Sequence, residues 1–348
     1  MLRDIGGKRI GPDAPVYVVA EIGLNHGGSR DKAIEMVDAA AWAGVSAIKL
    51  QTLEARTLVA ESCPAPTHVR ATSLREFFAT FEIDPDTHRA MVERARHHGL
   101  GVLTTPLAEA ALTMLEPLEF DGYKIASGDL TYHALIAAAA RTGRPLVIST
   151  GMGSLWEVSS ALEAARDAGA TDVALLHCVS AYPTPLASQN LRAITTLAKT
   201  FRLPVGLSDH GANSNAALPA LALGACIYER HLVLEGDDEA IDRAVSSTPA
   251  ELKALVVALE ETRVALGDGN KICQAAESPN VAASRRGLYT RRAMRAGEMI
   301  TEGDIAVVRP VSPLAPWDLP LLVGRRLRRS MGEGEAFEAL DVALERAS

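Results

Sequence analysis

Eight short apolar runs recur along the first two thirds of the chain: VYVVAEIG, SAIKLQT, GLGVLTTP, DGYKIAS, RPLVIST, VALLHCVS, LPVGLSDH and ACIYERHLVL. Between most of them stands an alanine-rich stretch with helical spacing, such as DKAIEMVDAAAWAG, HALIAAAARTG, SLWEVSSALEAARDAG or SNAALPALALG. Several of these end in the glycine that favours a helix C-terminus. Strands apolar throughout their length need cover on both faces. Strand followed by helix, eight times over, predicts a (β/α)8 TIM barrel. A doubly wound open sheet is the rival architecture.

Polar residues gather at the carboxyl ends of these runs: Glu21, Lys49 with Gln51, Thr104 with Thr105, Lys124 with Ser127, Ser149, His177 with Ser180, Ser208 with His210, and Glu229 with His231. Barrel active sites are built at that rim, so these groups are expected to converge. Two runs end in histidine, and alternation puts Ser208 with His210 on one face and Glu229 with His231 on one face. If the two strands are neighbours, their backbones lie about 4.8 Å apart and both imidazoles can reach one metal ion. Two imidazoles without a third fixed protein ligand leave open positions, as catalytic metal sites do. His88, His97, His98, His133 and His177 are read as structural. Buried lysine needs an anionic partner. Lys49 and Lys124 therefore either pair with Glu21, Asp129 or Glu229, or hold a phosphate or carboxylate with Ser127, Ser149 and Ser208 as neutral donors; a Schiff-base lysine is a third reading. Glu21 is a candidate general base, or a salt-bridge partner of Lys49. The Asn25-His26-Gly27-Gly28 turn is only a weak sign of anion capture.

Composition narrows this picture. With 348 residues, 48% of them hydrophobic, the chain can hold one large and one small domain. The expected boundaries are a barrel at 1–266, a polar linker at 267–282 and a small β-rich domain at 283–348. From residue 283 onward 11 arginines face 9 acidic residues, whereas the whole chain carries −8, so general nucleic-acid binding is not expected. The charged start and the lack of a long apolar run predict a soluble, cytoplasmic protein without membrane association. Cys63, Cys178, Cys226 and Cys273 show no paired spacing and are expected as free thiols. The stretch at 53–88 exceeds an ordinary connection and suits a lid or a dimer contact.

The segments AEIGLNHGG, IKLQT, YKIASGDL, STGM, LLHCVSAYPTP, GLSDH and ERH, in this order and spacing, resemble the N-acetylneuraminate (sialic acid) synthase family. The tail from about 284 resembles that family's antifreeze-like SAF domain, a β-clip fold, with Arg-Gly-Leu-Tyr early and Val-Arg309-Pro310 later. The resemblance implies condensation of phosphoenolpyruvate with an N-acylated amino-sugar aldose, N-acetylmannosamine or a relative, to a nine-carbon 2-keto-3-deoxy acid and phosphate. It implies a divalent ion, manganese first and magnesium or cobalt next, held by His210 and His231. Lys49, Lys124, Ser127, Ser149 and Ser208 match positions that hold phosphoenolpyruvate, and Glu21 matches a glutamate that acts on the attacking water. Gln51, Thr105, Asp129, Tyr182 and Asp242 match sugar contacts. Arg309 matches an arginine delivered into the partner's barrel, which implies a domain-swapped homodimer.

The departures concern the sugar. Leu107-Ala108 stands where the family commonly has Phe-Asp, Ala240-Ile241-Asp242-Arg243 where it has Gly-Pro-Asp-His, Ser180 replaces an asparagine, and Gly211 a threonine or serine. Asp129 replaces a more usual glutamate. Such changes alter which substrate groups can be satisfied, so a 2,4-diacetamido sugar of the legionaminic or pseudaminic type, or another aldose, stays open. The alternatives are another phosphoenolpyruvate-dependent ulosonic acid synthase and a non-catalytic carbohydrate-binding relative.

Overall fold

The computed structural model describes residues 4–64 and 73–343, and the chain divides after Gly267 into two compact units. The first opens with an antiparallel hairpin of β1 (Asp4–Ile5) and β2 (Lys8–Arg9). There follow β3 (Tyr17–Glu21), α1 (Arg30–Ala43), β4 (Ala47–Thr52), the short helices α2 (Ala55–Leu58) and α3 (Leu74–Ala79), α4 (Pro85–His97), β5 (Gly101–Pro106) and α5 (Glu109–Leu115). The series continues with β6 (Gly122–Ile125), α6 (His133–Arg141), β7 (Leu146–Ser149), α7 (Leu155–Asp167), β8 (Val173–Cys178), α8 (Ala193–Phe201) and β9 (Val205–Asp209). It ends with α9 (Ala217–Ala222), β10 (Ile227–Leu232), β11 (Ser246–Ser247) and α10 (Pro249–Leu266). Strands β3 to β10 are parallel and neighbours in chain order, and β10 pairs back onto β3 from Ile227 opposite Tyr17 to His231 opposite Glu21. That last pairing closes the barrel and rules out the open sheet.

Alternation along the strands divides their side chains into two cores. Tyr17, Val19, Ala47, Leu103, Val147, Leu176 and Ile227 pack inside the barrel together with Ile5 and Ile10. The hairpin closes this end, and Tyr17 Oη donates to the Ile5 carbonyl at 3.3 Å. The alternate residues, including Val18, Ile48, Leu50, Val102, Ile148 and Leu175, pack against helix residues such as Met36, Met91, Leu135 and Leu252. Helix ends follow local chemistry. Ser154 with Glu157 and Thr248 with Glu251 form capping boxes, and Gly44 closes α1 at φ 79°, a left-handed conformation that costs glycine little. At Gly206 in β9 a Cβ would overlap the Ile227 carbonyl of the adjacent strand. Gly206→Ala is therefore expected to lower stability by about 1–3 kcal/mol, as a shift of the denaturant midpoint will show.

The expected lid or dimer contact at 53–88 falls partly on residues 65–72, which lie outside the described residues. In the second unit, the stretch expected to be a polar linker carries a 3₁₀ turn at Ala275–Glu277 and runs into α11 (Ser278–Ser284). Gln274 N donates to Glu277 at 2.8 Å and Pro279 opens the helix, a local start signal that its polar composition hides. Beyond it, β12 (Gly287–Thr290) pairs antiparallel with β13 (Ile305–Val308) over a small core that includes Leu288, Ile300, Leu327, Met331 and Phe337. Among the described residues no helix is long and apolar enough to cross a membrane, and all four cysteines are free.

Candidate active site

The inward residues of each barrel strand change from apolar at the amino end to polar at the carboxyl end. A cavity of about 330 Å³ opens there. Its wall includes Glu21, Lys49 and Gln51 from the first two barrel strands, Thr105 and Lys124 from the next two, and Ser127, Ser149 and Tyr182. Ser208, His210, Glu229 and His231 complete it. Asp129 and Asp242 do not line it, and Arg309 lies in the second unit directly after β13. Two other polar residues at strand ends turn away. Thr104 Oγ1 lies 2.9 Å from Thr52 Oγ1, which in turn meets His88 Nε2 at 3.0 Å, and His177 Nε2 meets the Gln189 carbonyl at 2.8 Å. Both sit one position out of phase with the inward set.

Two buried lysines share two buried carboxylates. Lys49 Nζ lies 2.8 Å from Glu21 Oε2 and 3.9 Å from Glu229 Oε2, while Lys124 Nζ lies 3.2 Å from Glu229 Oε1. Ser208 Oγ donates to Glu229 at 2.8 Å and Gln51 Nε2 to Glu21 at 2.8 Å. Burial alone would push Lys49 down, but the Glu21 and Glu229 carboxylates outweigh it and hold its pKa above the ordinary value. Lys124 is pushed down by burial, which its carboxylate partner only partly offsets and Lys49 reinforces. For Glu229, burial opposes the charge, yet Lys124 and Lys49 hold the carboxyl well below the usual range. Glu229 thus bridges both cations. It was legible from sequence only as a lysine partner, although it has the same position relative to His231 as Ser208 has to His210.

The donors intended for an oxyanion differ in their commitments. Gly151 N donates to Ser127 Oγ at 3.1 Å, whereas Ser149 Oγ is buried with no hydrogen-bond partner among the described residues. Burial pushes the Asp129 carboxyl up to about 6. Leu107, which the sequence marked only as a departure from the family, Cys178, read only as a free thiol, and Met152 also line the cavity; as apolar or thiol side chains they carry no polar signal.

The histidines end adjacent strands, with Glu229 of β10 opposite Ser208 of β9, and their rings are 5.5 Å apart. Tyr182 stacks on His210 at 4.2 Å. His210 Nδ1 is 3.3 Å from the Val179 carbonyl and 3.6 Å from Cys178 Sγ. Burial, reinforced by His231, pushes the pKa of His210 down to about 3, so its imidazole is neutral, as metal ligation requires. His231 Nδ1 is buried without a hydrogen bond and lies 3.3 Å from Asp242 Oδ2. Asp242 itself is fixed from behind: its N–H donates to Asn25 Oδ1 at 2.9 Å, and Asn25 Nδ2 donates to the Leu232 carbonyl at 2.7 Å. Two imidazoles facing one cavity, that of His210 neutral, fit a divalent ion. Among the described residues no cluster of three or more His, Cys, Asp or Glu is placed to hold a metal ion.

Comparison with known proteins places this geometry in context. The model of the NeuB family matches residues 36–271 and that of the SAF domain residues 285–343. The chain is 32% identical to an N,N'-diacetyllegionaminic acid synthase of Legionella pneumophila, covering 95% of this chain and 96% of that protein. It is 30% identical to a pseudaminic acid synthase of Campylobacter jejuni, covering 94% and 97%. Among solved structures, the N-acetylneuraminic acid synthetase of Leptospira borgpetersenii, crystallised with citrate, superimposes with a TM-score of 0.74 at 32% identity, over 80% of this chain and 94% of that one.

Proposed function

The chain belongs to the NeuB family, and from that premise we propose that it condenses phosphoenolpyruvate with an N-acylated amino-sugar aldose to give a 2-keto-3-deoxy sugar acid and phosphate. The observation that carries this reading is that one cavity holds Lys49, Lys124, Ser127, Ser149 and Ser208 beside the His210–His231 pair. The lysines and the hydroxyls of Ser127, Ser149 and Ser208 bind the phosphate and carboxylate of the enol phosphate. Ser149 supplies an uncommitted hydroxyl, and the substrate's oxyanions compete with Glu21 and Glu229 for the ammonium groups. His210 and His231 would hold a divalent ion, manganese, magnesium or cobalt, which when bound supplies Lewis-acid polarisation of the aldehyde. As C3 of the enol phosphate bonds to the aldehyde carbon, the carbonyl π bond breaks, its oxygen becomes a hydroxyl by taking up a proton equivalent to the one the added water loses, and C2 is left electron-poor. Glu21, hydrogen-bonded by Gln51, takes a proton from the water that adds at C2, and cleavage of the C–O bond releases phosphate.

Gln51, Thr105, Asp129, Tyr182 and Asp242 are assigned to the sugar side, Asp242 through its contact with His231. The names of the relatives make a diacetamido sugar the acceptor to try first, beside N-acetylmannosamine. Delivery of Arg309 by the SAF domain of a partner in a domain-swapped homodimer, and a cytoplasmic location, belong to the same proposal. The test is phosphate release from phosphoenolpyruvate by metal-stripped protein, with and without added manganese, over N-acetylmannosamine, its 6-phosphate and diacetamido hexoses. Release is expected only with metal and one class of sugar; release that ignores the sugar, or none with any of them, refutes the assignment.

A further inference from the structure

A second polar cavity, of about 360 Å³, lies on the opposite side of β10 from the active site, between the loop after β9 and the segment after β10. We infer that it is a binding site for a phosphate group, carried either by the free ion or by a small metabolite. This inference is independent of the synthase reading, because none of the residues that line the second cavity lines the first.

Arg230 is the central observation. Glu229 and His231 face the barrel interior, so Arg230 faces outward, and it is only 1% exposed. Its Nε donates to Ser247 Oγ at 3.2 Å, and its Nη1 donates to the Gly211 carbonyl at 2.8 Å and the Asp209 carbonyl at 3.4 Å, with Asp209 Oδ1 at 3.7 Å. Nη2 makes no hydrogen bond to any described residue, and the side chain lines the cavity. A guanidinium edge on the cavity wall with no acceptor among the described residues can serve a ligand oxygen.

Arg243 supplies a second cation from a separate element. It stands where the family that this chain resembles commonly has histidine, and its acidic partner among the described residues, Asp238 at 3.5 Å, is highly exposed and holds it weakly. Ser247 accepts from Arg230 and keeps its own hydroxyl proton to donate, and Ser214 adds a second hydroxyl. The acidic group on the wall is Glu251, whose carboxylate accepts from Thr248 N at 2.8 Å in the cap of α10. Two guanidiniums and two hydroxyls converging from different segments suit an anion with several acceptor oxygens. The loops after the seventh and eighth strands of such barrels are also where phosphate groups are commonly held. The volume exceeds what a bare ion needs and leaves room for a substituent.

Calorimetric titration of the full-length protein with inorganic phosphate and, separately, with glucose 6-phosphate against a glucose control tests the inference. Two classes of phosphate binding are expected. Arg243→Ala weakens one class by about tenfold, since its loss removes a charged hydrogen bond, and leaves the other unchanged. Lys124→Met removes the active-site class and spares the Arg243-dependent one. Tighter binding of the ester assigns the cavity to a metabolite, and tighter binding of the ion assigns it to free phosphate. Loss of all binding in Lys124→Met, or wild-type binding in both Arg243→Ala and Arg243→Glu, overturns the inference. Should Lys124→Met fail to fold, diffraction from arsenate-soaked wild-type crystals decides: an anion peak beside Arg230 and Arg243 supports the site, and peaks confined to the barrel mouth overturn it.

Discussion

Replacing His210 with alanine is expected to lower kcat by about 10³-fold while leaving the fold intact. The ring ends a barrel strand and makes marginal contacts with the Val179 carbonyl and Cys178 Sγ and ring contacts with Tyr182 and His231, none of them a strong hydrogen bond, so its removal disturbs little packing. What is lost is one of two imidazoles for a divalent ion, and the several kcal/mol such an ion contributes translate to about a decade of rate per 1.4 kcal/mol. Calorimetry with manganese separates this from a merely structural effect: the His210→Ala protein should show a wild-type melting curve but weakened metal binding. Retention of metal-stimulated turnover in His210→Ala would remove the histidine pair from the proposal.

The second large effect is on stability. Glu229→Gln keeps the shape of the side chain but removes the carboxylate that pairs directly with Lys124, leaving it the more distant Glu21, and leaves Lys49 paired with Glu21. Stripping one partner from a buried charge network costs about 3–5 kcal/mol, because the remaining charge stays desolvated. Chemical denaturation at neutral pH should show that loss. The pH dependence has a defined sign. Because the Glu229 carboxyl is held below its ordinary value, its contribution is present in full above the unfolded value, about 4.3, and is lost as pH falls through the lower folded value. Wild type and Glu229→Gln should therefore converge in acid. A constant gap down to acid pH would mean that the carboxylate does not carry the stabilisation.

These two residues also mark the limit of what sequence can convey. His210 and His231 were legible because each ends an apolar run and because consecutive barrel strands pair, so nearness along the chain becomes nearness in space. Glu229 was visible on the same face as His231, but its bridging of Lys49 and Lys124 was not, since those lysines lie on strands that meet it only through barrel closure. Asp242 shows the same limit: it sits beside the His231 ring, pinned by Asn25 from the far end of the unit. Thr104 and His177 were expected at the shared rim and turn outward, because a one-residue shift in a strand reverses the face.

The sequence by itself determined the eight strands, their order and, Thr104 and His177 excepted, the polar ends that face inward, because period-two alternation and helix capping are local and need no partner to be read. Only the tertiary structure decided which cation meets which carboxylate, that Ser149 keeps a free hydroxyl, and that Arg230 looks into a second cavity. Those outcomes depend on the register with which β10 docks against β3 and β9, a long-range geometry that no local pattern encodes.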